Sequence, residues 1–94
     1  MNEQQVIFKR ADDASIAKED DLKGKIVATQ SASGTAEDYV DGHKDVTGYK
    51  DVKKYADYLS AFMDLENGRL DAVVGDEIVG RYYMSKHPEE LEAL

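Results

Sequence analysis

Two short apolar runs, Ile26-Val27-Ala28 and Ala72-Val73-Val74, constrain this chain more than anything else in it. Neither alternates with polar residues, which is the pattern of a strand covered on both faces. Each is followed by a polar, glycine-containing loop and then by a helical stretch. That order is the sequence form of a parallel or mostly parallel α/β sheet. Ile26–Ala28 is expected at the sheet centre, with Ala72–Val74 as its parallel neighbour.

The remaining elements follow from local chemistry. Val6-Ile7-Phe8, extended by Lys9-Arg10, is β-branched and aromatic and predicts a first strand. Ser15 or Asp20 is placed to cap a short helical turn ahead of Gly24. Glu37-Asp38-Tyr39-Val40 puts acids in a helix's first turn. Residues 41–51 are polar and hold Gly42 and Gly48, which predicts an exposed connection to a weak edge strand over Val52–Tyr55. Asp57 then caps an amphipathic helix whose face is Tyr58, Leu59, Phe62 and Leu65, with Asn67-Gly68 as its left-handed stop. Ile78, Val79, Tyr82 and Tyr83 mark one face of a helix running to Ser85-Lys86. Pro88 can open a last turn.

At 94 residues the chain reads as one α/β domain spanning 1–94. The hydrophobic fraction of 41% and a single proline argue against disorder or a long linker. Twelve Lys+Arg against 20 Asp+Glu give a net charge of −8, which opposes nucleic acid and anionic membrane surfaces as partners. Without cysteine, disulfides, thiolate metal sites and thiol catalysis are excluded. His43 and His87 are too few for a histidine-built metal site, and both are expected to be exposed and idle. No apolar run approaches a membrane span and Met1–Gln5 is not a leader, so the chain as given is expected to be soluble and without an export signal.

In open α/β sheets, ligands bind beyond the carboxyl ends of the strands. The loop after Ile26–Ala28 contains Ser31-Ala32-Ser33-Gly34-Thr35, with hydroxyls, a glycine and the free N–H groups of a helix start, a setting that favours an anion. The simpler reading is that Ser33 or Thr35 only caps the helix. Asp76 ends the other buried strand, where it would meet a ligand ammonium or else cap the following helix. Together the two loops complement a zwitterion. No Ser/His/Asp set, catalytic carboxylate pair or nucleophile elbow can be assembled, so no enzyme activity, metal or cofactor is expected.

Three segments carry a resemblance: Asp21-Leu22-Lys23-Gly24-Lys25-Ile26-Val27-Ala28-Thr29-Gln30-Ser31, Ser33-Gly34-Thr35-Ala36-Glu37-Asp38-Tyr39, and Ala61-Phe62-Met63-Asp64-Leu65-Glu66-Asn67-Gly68-Arg69-Leu70-Asp71-Ala72-Val73-Val74-Gly75-Asp76. They resemble the bacterial extracellular solute-binding proteins that feed polar amino acids to ABC transporters, and Val6–Arg10 looks like the strand that crosses into their second lobe. The resemblance implies a three-layer, mostly parallel lobe of a type II periplasmic binding protein, flavodoxin-like in architecture. It covers the second lobe only.

It further implies that the loop Ser33-Gly34-Thr35 binds the ligand α-carboxylate and Asp76 the α-ammonium. The implied partners are an amino acid, a first lobe and a permease, with the parent protein periplasmic or lipid-anchored outside the cell. Ala32 stands where the family often has glycine, and the loop is one residue longer than common versions. Arg10, Arg69 and Arg81 do not match the family's carboxylate-binding arginine of the first lobe. The second crossover and the strand after it are expected to be missing, and an open sheet edge could pair with a second copy.

Two other readings compete. Ser31-Ala32-Ser33-Gly34-Thr35 also resembles the loop with which flavodoxins hold the phosphate of FMN, although Ala36 replaces a hydroxyl there and no tryptophan exists to stack on a flavin. The third is a lobe with a fold but no retained activity.

Overall fold

The computed structural model describes residues 5–31, 34–87 and 90–94, with Thr35 described in its backbone only. Five strands form one sheet: β1 Gln5–Arg10, β2 Ile26–Gln30, β3 Asp51–Tyr55, β4 Ala72–Asp76 and β5 Leu91–Ala93. Among the described residues three α-helices accompany them: α1 Thr35–His43, α2 Tyr58–Glu66 and α3 Glu77–Lys86. The strand order is β3-β2-β4-β1-β5. β2 is parallel to both β3 and β4, while β1 runs antiparallel to β4 and to β5. Four strands therefore point one way and β1 alone is reversed.

The parallel pairing of Ile26–Ala28 with Ala72–Val74, and β3 at the edge, are as expected. The middle position belongs to β4 rather than to β2, because the first strand inserts beyond β4. A fifth strand follows the last helix, where the sequence predicts only a turn. β5 is short, but Lys9 binds it twice over: it is register partner of Glu92, and its Nζ reaches that carboxylate at 2.9 Å.

Strand alternation divides the core into two layers. Val6, Phe8, Ala28 and Val73 pack against α2 and α3 on one face. Ile7, Val27, Ala72 and Val74 pack against Val40 of α1, and against Ile16 and Leu22 around the helical turn Glu19–Leu22, on the other. Phe62 sits at the centre of the first layer, edge-on to Phe8 at 5.4 Å and stacked on Tyr83 at 4.8 Å. Thr29, wholly buried, donates its hydroxyl to the Val74 carbonyl at 2.8 Å and so joins β2 to β4.

The helix faces differ from the expected ones. In α2, Tyr58, Phe62 and Leu65 are buried but Leu59 is 58% exposed. In α3, Tyr83 and Gly80 face the core, while Ile78, Val79 and Tyr82 are exposed. Gly80 decides that rotation, because a methyl group added there would land in the Phe8 ring. The smallest residue marks the closest approach, and hydropathy does not see it.

Three smaller corrections concern the connections. Residues 41–51 are not simply an exposed link: α1 runs on to His43, a wider turn covers Lys44–Gly48, and Tyr49 is buried. Neither Ser15 nor Asp20 caps the Glu19–Leu22 turn; Asp21 instead reaches back to the N–H groups of Ala17 and Lys18. β4 extends beyond Val74 to include Gly75 and Asp76, and the turn expected at Pro88 lies outside the described residues.

Candidate functional site

The carboxyl ends of β2 and β4 lie side by side, so the loop into α1 and the start of α3 share one edge of the sheet. Along that edge a cavity of about 300 Å³ is lined by Gln5, Gln30, Ala36, Tyr58, Asp76 and the first turn of α3.

Asp76 ends β4 in an extended backbone and caps α3: its Oδ1 accepts the N–H groups of Ile78 at 2.8 Å and Val79 at 3.2 Å. The simpler reading of Asp76 as a helix cap is therefore correct. It does not exhaust the residue, because both bonds fall on one oxygen and the carboxylate also lines the cavity.

On the facing side, Ser31 donates both N–H and Oγ–H to the Tyr55 carbonyl, at 2.7 and 3.2 Å, and turns the chain out of β2. The N-cap of α1 is Gly34, at φ 73°, a backbone setting that favours glycine. Glycine offers no side chain to the first-turn N–H groups, so the cap that Ser33 or Thr35 was expected to supply is not at the cap position. Those N–H groups lie where the helix dipole favours negative charge. Ser33 lies outside the described residues, and of Thr35 only the backbone, at the first position of α1, is described.

The sequence did not single out Gln5 and Gln30. Gln5 is the register partner of Asp76, and its side-chain Oε1 is buried without a donor among the described residues. Gln30 Nε2 donates to the Ala56 carbonyl at 3.2 Å. An uncharged amide at a strand end carries no pattern that would mark it. Arg10 is accounted for structurally, donating to the carbonyls of Leu65 at 2.9 Å and Leu70 at 2.6 Å.

No protein-family model matches the chain. Individual proteins do. The chain is 38% identical over 81 residues to ABC transporter arginine-binding protein 1 of Escherichia coli (strain K12), covering 79% of this chain and 31% of that protein. It superposes on an ancestral arginine-binding protein bound to arginine with a TM-score of 0.86 and 33% identity, over 100% of this chain and 41% of the other. A crystal structure of domain 2 from TmArgBP matches at 36% identity and a TM-score of 0.77, covering 95% of this chain and 91% of that one. The chain belongs to the amino acid solute-binding proteins of ABC transporters.

Within that family it corresponds to the second lobe, and it spans less than a third of the curated relatives it matches. The relatives are transport-binding proteins, and the flavodoxin reading finds no support among them. Among the described residues of this solute-binding lobe, no helix is long and apolar enough to cross a membrane.

Proposed function

We propose that the parent protein captures an amino acid outside the cytoplasmic membrane and hands it to an ABC permease, by closure of two lobes rather than by catalysis. This lobe, residues 1–94 as one α/β domain, supplies the loop Ser33-Gly34-Thr35 for the ligand α-carboxylate and Asp76 for the α-ammonium. The observation that carries the reading is the cavity at the ends of β2 and β4, lined both by Ala36 in the first turn of α1 and by Asp76. Gln5 lines the same cavity, and its Oε1, without a donor among the described residues, would give an ammonium with several N–H donors a second acceptor. Two curated relatives are named arginine-binding proteins, which supports arginine as the first ligand to try.

Alone, the lobe binds weakly or not at all, because a first lobe supplies the remaining contacts. An open sheet edge, β3 or β5, is the surface through which two isolated lobes would pair. Calorimetry with a panel of amino acids, on the lobe and on the lobe joined to a first lobe, tests the proposal. Tight binding by the lobe alone would contradict it, as would a two-lobe protein that binds no amino acid.

A further inference from the structure

At the end of α3 remote from Asp76, Glu66, His87 and Glu90 bring two carboxylates to one imidazole nitrogen. His87 Nδ1 lies 3.2 Å from Glu66 Oε2 and 3.4 Å from Glu90 Oε2, and the three ligand atoms all lie within 4.8 Å of one another. A single imidazole nitrogen carries at most one proton and can satisfy only one of those oxygens well. Ligands about 2.0–2.1 Å from a tetrahedral zinc ion stand about 3.3–3.4 Å apart, close to the 3.2 and 3.4 Å that separate Nδ1 from the two carboxylates.

The surroundings fit the same chemistry. Tyr83 donates its hydroxyl to Glu66 Oε1, which leaves Oε2 turned toward His87. The Tyr83 ring stacks on the His87 ring at 4.3 Å and 14°, fixing the plane of the imidazole. Such outer contacts orient metal ligands. A cavity of about 420 Å³ opens beside the cluster, bordered by Leu59, Met63 and Asn67, with room for a water at a fourth coordination position. The exposed Glu90 side chain is free to close the remaining distance.

We propose that Glu66, His87 and Glu90 bind a divalent transition-metal ion, zinc foremost, independently of the amino acid site. His43 provides an internal comparison. It stacks on Tyr39 at 4.1 Å and faces Glu19 at 3.4 Å, yet Glu66, His87 and Glu90 form the one such group of three among the described residues.

The test is calorimetric titration of the metal-free chain with zinc chloride alone, together with its melting temperature with and without zinc. Saturable binding of one equivalent and a raised melting temperature are expected. His87→Ala should abolish both, Glu90→Gln should weaken binding at least tenfold without touching the buried core, and Tyr83→Phe should weaken it about 10–100-fold. His43→Ala should bind as the parent chain does. Circular dichroism checks that each variant is folded, and the Glu90→Gln titration decides the matter should His87→Ala or Tyr83→Phe unfold. No saturable binding, binding unchanged in Glu90→Gln, or equal loss in His43→Ala overturns the site.

Discussion

Gln5 and Asp76 are register partners at the cavity end of the β1–β4 ladder, and both residues line that cavity. Asp76 Oδ1 belongs to a carboxylate engaged in capping; Gln5 Oε1 belongs to an amide and is buried without a donor among the described residues. A buried acceptor left unsatisfied costs about 1–3 kcal/mol. Replacing Gln5 by leucine should therefore leave the lobe's stability unchanged or raise it, while lowering amino acid affinity in the two-lobe protein. Chemical denaturation of the lobe and calorimetry of the two-lobe protein read the two effects separately. A marked loss of stability would mean that Gln5 serves the fold.

Asp76→Asn separates capping from binding. Asparagine caps a helix about as well as aspartate, so the denaturation midpoint should scarcely move. The charge that pairs with a ligand ammonium is gone, and a charge-assisted bond is worth about 1.5–3 kcal/mol, so affinity should fall roughly one to two orders of magnitude. Unchanged affinity in the two-lobe protein would leave Asp76 with its cap alone.

Phe62, 1% exposed and in contact with three aromatic rings, holds α2 and α3 to the sheet. Phe62→Ala should cost about 3–5 kcal/mol, a large share of a small domain's stability. Urea denaturation followed by circular dichroism measures it. Leu59→Ala, one helix position from Tyr58 but exposed, should cost far less.

The phenol of Tyr55 is pushed up from 10.0 to about 12, first by burial and then by the hydrogen bond it donates to Asp64 at 2.7 Å. Because the folded value lies above the unfolded one, the neutral phenol stabilises the fold fully below pH 10, and that contribution is lost as pH rises toward 12. The gap in urea midpoint between the parent chain and Tyr55→Phe should thus be widest at neutral pH and narrow through that window. A gap that does not vary with pH would mean the hydroxyl is not held by Asp64.

Much of the sheet was legible because its signals are local. Ile26–Ala28 and Ala72–Val74 are apolar without alternation, and Asp57 and Gly68 punctuate α2 as their chemistry dictates, Asp57 accepting from the Ser60 N–H and Gly68 adopting φ 79°. The features that were misread depend on contacts distant in sequence. β5 is three residues long and is held by Lys9, more than eighty positions away. The face of α3 is set by Gly80 against Phe8, so Ile78 and Tyr82 point outward despite their hydropathy. At the cleft, Asp76 was readable as a charge ending a buried strand, whereas Gln5 became visible only through its register partner. The histidines were discounted because two are too few for a histidine-built metal site; Glu66, on another helix, cannot be placed beside His87 by spacing.

The reversed strand β1 also has a mechanical consequence. β1 starts at the cleft edge with Gln5 and runs away from it, and β5 returns toward the same edge, where the Leu94 N–H meets the Ile7 carbonyl at 2.9 Å. Tension applied between Gln5 and Leu94 loads that antiparallel pair from its open end, as a zipper is loaded. The rungs at that end, Leu94–Ile7 with β5 and Gln5–Asp76 with β4, bear the load first and would break singly. A pull across that edge would thus be taken up rung by rung at the antiparallel strands before the parallel pairings of β2 with β3 and β4 are loaded.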